Sequence, residues 1–88
     1  MNKYLRHPDK IIDLHGKTVA EAESLLWQLV DDKESFGLCV RLVVGKGNHS
    51  KNGPVLRDFV KDFLTSKNIR HSQSKIQDGG DGALEVYL

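Results

Sequence analysis

The 88-residue chain has little to cross-link it: one cysteine, two prolines and one tryptophan. A single thiol, Cys39, can neither close an intramolecular disulfide nor supply a multi-cysteine zinc site. A small chain without cross-links folds on its apolar core alone, which suits a reducing compartment. No apolar stretch approaches the ~18 residues that a membrane span needs. The first ten residues carry charges and a proline instead of an apolar h-region, so they do not read as a signal peptide. The expectation is a soluble cytoplasmic protein. The length suits one domain of at most two packed layers. Residues 1–9 read as an arm and 10–88 as the folded unit, leaving no room for a separate targeting module.

The formal charge of +1 excludes little, but its distribution is uneven. Residues 1–34 hold five Lys/Arg and seven Asp/Glu, residues 35–77 hold eight and two, and residues 78–88 hold none and three. The segments therefore carry −2, +6 and −3, and no acidic residue falls between Ser35 and Arg57. Whether folding gathers that basic middle or scatters it is a question for the tertiary structure.

Patterning predicts six elements. The apolar run Lys10–Leu14, closed by Gly16, reads as a strand. Thr18-Val19-Ala20-Glu21 is a capping box. Val19, Ala22, Leu25, Leu26, Leu29 and Val30 then recur at helical spacing, with an end expected between Lys33 and Phe36 and a turn at Gly37. Leu38–Val44, nearly all apolar, reads as a central strand buried on both sides, with Cys39 inert within it. Residues 45–53 are a polar loop. Pro54 suits the start of a second helix with Val55, Leu56, Phe59, Val60, Phe63 and Leu64 on one face, ending at Asn68. Residues 69–76 form an exposed strand, 78–82 a turn, and 83–88 a strand with Leu84, Val86 and Leu88 on one face. Trp27 and the phenylalanines at helical positions read as core. The order β-α-β-α-β-β gives an α/β (α+β) two-layer fold: a four-stranded mixed sheet, both helices packed on it, and the last two strands joined as a hairpin or by a longer crossover.

Two clusters carry chemistry. Asp13-Leu14-His15-Gly16 ends the first strand. Residues two apart on an extended chain share a face, and an Asp beside a His fixes its tautomer and raises its basicity, as a general base requires. The same residues would also serve as a turn cap and a loop histidine. Gly45-Lys46-Gly47-Asn48-His49-Ser50 leads from the second strand toward the second helix. Its glycines let backbone approach a phosphate, and Lys46 brings charge. It matches neither the P-loop nor the dinucleotide-binding pattern, and an ordinary strand-to-helix loop would look similar. If the first two strands are parallel, both clusters lie at one sheet edge. The Asp78–Gly82 segment lacks the ligand spacing of an EF-hand and reads as a plain turn. His71 reads as a surface residue, His7 as solvated, and Tyr4 as either arm packing or a base-stacking ring.

Taken together, Ile12-Asp13-Leu14-His15-Gly16, Thr18 with Glu21-Ala22, Gly45-Lys46-Gly47-Asn48-His49-Ser50, and Gly80-Asp81-Gly82 before an apolar strand resemble the small MutS-related (Smr) domain. The resemblance spans residues 10–88. It implies a two-layer fold similar to the C-terminal domain of a bacterial translation initiation factor, and a nucleic acid as partner. Many members cut nucleic acid, and several act on RNA connected with stalled ribosomes. The expected function is an endonuclease acting on RNA or DNA phosphodiesters, linked to ribosome rescue or to DNA repair and recombination. The alternative is a nucleic-acid-binding module without chemistry; a protein-docking role has no specific support. By resemblance Asp13 and His15 are the catalytic motif and Gly45, Lys46 and Gly47 the phosphate-facing loop. Many bacterial members have a His where this chain has Val44, which leaves His49 as the candidate substitute and general acid. Gly16, Asn48, Ser50, Lys51 and Arg57 complete the expected nucleic-acid contacts. No cofactor is required if a ribose 2′-OH is the nucleophile; a water nucleophile would call for Mg²⁺, with Asp13 as its ligand.

Overall fold

The computed structural model describes residues 8–45, 53–74 and 82–88, with side chains described from Val55 onward in the second helix. The chain runs β1 (Lys10–Asp13), α1 (Val19–Asp31), a 3-10 turn (Lys33–Ser35), β2 (Cys39–Val43), α2 (Gly53–Ser66), β3 (Arg70–Gln73) and β4 (Ala83–Tyr87). The four strands form one sheet in the order β1-β2-β4-β3. β1 and β2 are parallel, with Lys10 opposite Val40 and Asp13 opposite Val43. β4 lies antiparallel to both β2 and β3. The last two strands are therefore neighbours, as a hairpin requires, and β4 is inserted beside β2.

Local sequence explains the helix ends. The Thr18 hydroxyl accepts from Glu21 N–H at 3.1 Å, and Glu21 Oε1 accepts from Thr18 N–H at 2.9 Å. Both halves of the capping box are thus made. The Thr18 N–H, followed by the Thr18 hydroxyl, holds the Glu21 carboxyl below its ordinary pKa. α1 stops at Asp31, a little before the expected range. Asp32 turns extended, and its carboxylate accepts from Glu34 N–H, starting the 3-10 turn instead. α2 closes with Asn68 at φ 57°, Ile69 N–H on Leu64 C=O and Asn68 N–H on Thr65 C=O. That is the Schellman arrangement, here with asparagine in the left-handed position.

One core joins both helices to one sheet face. Leu14, Ala22, Leu26, Leu29, Val40, Leu42, Val44, Leu56, Val60, Phe63, Leu64, Leu84 and Val86 pack as a single cluster. Period 2 sends Val40 and Leu42 of β2, and Leu84 and Val86 of β4, to this face. β2 is interior to the sheet and, as expected, largely withdrawn from solvent on both faces: Cys39, on the side away from the helices, is buried, and Arg41 on that same side is only partly exposed. There its Nε donates to Glu85 Oε2 at 2.9 Å across the β2–β4 pair, and the Ser74 hydroxyl bonds the same carboxylate. Trp27 is a correction. It is 40% exposed, packing edge-on to Phe63 at 5.3 Å between ring centres, with Lys67 Nζ 4.1 Å above its own ring. Position 27 is one residue off the buried row Ala22, Leu26, Leu29, so the indole caps the rim between the helices.

Among the described residues no helix is long and apolar enough to cross a membrane. Within the described part of the basic middle segment, Arg41 pairs with Glu85, Lys67 sits over Trp27, and Arg57 Nε lies 3.9 Å from Asp58.

Candidate nucleic-acid site at the parallel strand ends

The parallel pair brings the C-terminal ends of β1 and β2 together. Leu14 N–H donates to Val43 C=O at 2.7 Å, carrying the ladder one residue beyond β1. Lys17 N–H returns to Leu14 C=O at 3.1 Å, closing a four-residue turn over Leu14-His15-Gly16-Lys17. Gly16 has φ 79°, and His15 is absent from the residues with positive φ. A left-handed third residue after an ordinary second one defines a type II turn, which favours glycine at that place. Leu14 is fully buried and anchors the turn, while His15 and Gly16 stand outside. Gly16→Ala meets no steric neighbour; its cost is the left-handed backbone alone. Chemical denaturation should show a loss of about 1–2 kcal/mol.

Asp13 Oδ1 accepts twice from His15: from the backbone N–H at 3.0 Å and from Nδ1 in a short contact. With Nδ1–H engaged, Nε2 is the ring nitrogen left to accept a proton. The two side chains are 66% and 55% exposed for His15 and Asp13. The His15 ring, and behind it the His15 N–H and the Lys17 charge, hold the Asp13 carboxyl below its ordinary value of 3.8. A carboxyl lowered on folding contributes stability above its unfolded pKa and loses it as pH falls through the folded one. The pair should therefore persist across neutral pH and dissolve only in acid. A carbon-13 titration of Asp13 should give a midpoint below 3.8, and His15→Ala should move it upward.

The loop cluster begins against this pair. A Cβ built on Gly45 would stand 3.5 Å from His15 Cβ, so the first loop glycine lies directly beside the histidine. Gly45 has φ 81°. Its N–H and that of Val44 both donate to Gly82 C=O, at 2.9 and 2.8 Å. The Gly45 amide is thereby engaged within the fold, and the residue serves this edge by close approach to His15. Lys46, Gly47, Asn48, His49, Ser50 and Lys51 lie outside the described residues. Arg57 sits on α2 beside Asp58, and no described contact joins it to Asp13 or His15. Sequence reasoning passed over two residues. Lys17, a cation directly after Gly16, acts electrostatically on Asp13. Gly82, read as a turn glycine, clamps the end of β2.

Among the described residues, no three His, Cys, Asp or Glu side chains come together to hold a metal ion. Asp13 brings a carboxylate to this edge, and one of its oxygens is taken by His15. These residues do not form a Mg²⁺ site by themselves.

A two-layer domain with an Asp–His pair and a glycine loop at one edge of a mixed sheet is thus in place. The family model of the Smr domain matches residues 12–88, and the chain belongs to that family, a module of the nucleic-acid-binding and nuclease type. Its fold is similar to the Smr domain of Thermus thermophilus MutS2, with a TM-score of 0.74 and 32% identity over 90% of this chain and 96% of that one. It is also similar to the B3BP Smr domain, with a TM-score of 0.69 and 27% identity, covering 92% of this chain and 79% of that one. A curated relative, an uncharacterized protein of Treponema pallidum (strain Nichols), is 41% identical over 58 residues. That match covers 65% of this chain and 29% of the relative.

Proposed function

We propose that this domain cuts nucleic-acid phosphodiester bonds in the cytoplasm, with His15 as general base and Asp13 as the group that orients it. The observation that carries the reading is the double hydrogen bond from His15 to Asp13 Oδ1, which leaves Nε2 outward at the edge where the glycine loop begins.

The residues of this edge suit RNA best. His15 Nε2 would take the proton of a ribose 2′-OH. The 2′-oxygen then attacks phosphorus, the bond to the 5′-oxygen breaks, and that oxygen leaves with a proton from a general acid, for which His49 is the candidate. The products are a 2′,3′-cyclic phosphate and a 5′-hydroxyl. Lys46 and Lys17 would offset charge growing on the phosphoryl oxygens. A single carboxylate is a thin support for an Mg²⁺-activated water, and the 2′-OH route needs none. The test is cleavage of one RNA strand and of its deoxyribose counterpart, each with and without EDTA. Expected are cuts in RNA alone, undiminished by EDTA. Cleavage of the DNA strand that EDTA abolishes would replace the 2′-OH route with a metal-assisted one.

One observation favours a second reading, a binding module without chemistry. The Asp–His pair is exposed, and no described wall excludes water from it. Under that reading affinity falls with salt, survives His15→Ala, and drops when Lys46, Lys51 and Arg57 are neutralised. A ribosomal RNA or a DNA repair intermediate would be the setting of either reading.

A further inference from the structure

A broad groove lies at the other end of the sheet from Asp13 and His15. It measures about 670 Å³ and runs between the C-terminal ends of α1 and α2, under the end of β4. Leu29, Val30, Phe36, Ile69, Tyr87 and Leu88 give it an apolar lining, with Asp31, Asp32, Lys33 and Lys67 around it. Phe36 is 87% exposed there. Together with the apolar lining, Phe36 makes a contiguous apolar surface, the kind on which partners dock.

We propose that the groove is the seat of the chain's own N-terminal segment, with Tyr4 and Leu5 as the inserted side chains. Three observations select this occupant. The first is where the segment is rooted. Asp9 N–H donates to Cys39 C=O at 2.7 Å, and Asp9 Oδ2 accepts from Cys39 N–H at 2.9 Å, so the chain enters the fold firmly at the start of β2. Cys39 faces Tyr87 in the sheet, and Leu38 C=O accepts from Leu88 N–H. The root of the arm is thus about two strand spacings, ~10 Å, from the groove wall.

The second is reach. Residues 1–7, which lie outside the described residues, precede the root. At ~3.3 Å per residue, Leu5 and Tyr4 can extend roughly 13–17 Å from Asp9, enough to cross the foot of β2. The third is chemistry. Tyr4-Leu5 is the apolar pair of the arm, flanked by Lys3 and Arg6. Of the charged groove residues, Lys67 already lies over Trp27 and the Asp32 carboxylate accepts from Glu34 N–H and the Ser35 hydroxyl, which leaves Asp31 as the carboxylate to meet those cations. A tyrosine suits such a seat, with its ring buried and its hydroxyl at the wet rim.

Methyl spectra of the full chain, of a variant beginning at Pro8, and of full-length Tyr4→Ser/Leu5→Ser test this. Methyl resonances of Leu29, Val30, Ile69 and Leu88 should move in both variants by similar amounts, while those of Leu14 and Val43 stay in place and report an intact fold. A synthetic peptide of residues 1–9 added to the shortened chain should return the groove resonances toward their full-length positions. A peptide with serine at positions 4 and 5 should not. Groove resonances that superimpose in the full chain and the double variant would overturn the proposal. So would shifts that follow protein concentration instead of the arm, which would assign the groove to a second copy.

Discussion

His15→Ala should lower the rate of RNA cleavage by about 10²–10⁴-fold, the usual worth of a positioned general base, and leave the fold as it was. The side chain is two-thirds exposed, and its described side-chain hydrogen bond is to Asp13. Surface substitutions of this kind stay within about 0.5 kcal/mol in stability. Asp13→Asn is the companion variant. It keeps the size of the side chain but removes the charge that holds Nδ1 protonated, so the ring is free to turn or to adopt the other tautomer. Cleavage should fall by a comparable factor. Single-turnover cleavage of a labelled RNA, read beside a filter-binding isotherm on the same strand, separates the outcomes. Lost cleavage with retained binding supports His15 as base. Cleavage unchanged in both variants would remove the catalytic assignment altogether, and a wild-type chain that binds without cutting would leave the binding module.

The second large effect is on stability. Leu14 is wholly buried at the point where β1 becomes the turn. Its N–H extends the ladder to Val43 and its C=O receives Lys17 N–H. Leu14→Ala removes the methyl groups that fix the turn to the core, and the cost should be about 2–5 kcal/mol, as for other buried leucines. In a domain of this size that is a large share of the total. Leu14→Met, which nearly conserves volume, should cost less than about 1.5 kcal/mol. Urea unfolding of the two variants gives the comparison. Activity adds a second readout: Leu14→Ala should lose cleavage beyond its unfolded fraction, because Asp13 and His15 flank the anchor. A loss of under about 0.5 kcal/mol would show that the turn stands without it.

Legibility followed the range of the interactions. The capping box at Thr18 and Glu21, the Asn68 helix end and the buried faces of both helices were readable because each is set within a few residues. A helix between β1 and β2 allowed a parallel pair, and the structure supplied it. Trp27 misled. A tryptophan at helical spacing reads as core until a partner helix shows which side of the row is covered. Arg41 was the sign that β2 has a polar side, but its partner Glu85 lies 44 residues away. The sequence did not show that the Gly45 amide is held by Gly82, a pairing between distant segments.

By itself the sequence determined the elements, their order, the family, and the pairing of Asp13 with His15, since two residues at the end of a strand meet through their own backbone. The tertiary structure decided the rest. It placed β4 between β2 and β3, paired Arg41 with Glu85 on the sheet face away from the helices, and set Gly45 beside His15. Those outcomes depend on contacts between residues far apart in the chain, whose energies are fixed only when the whole core closes.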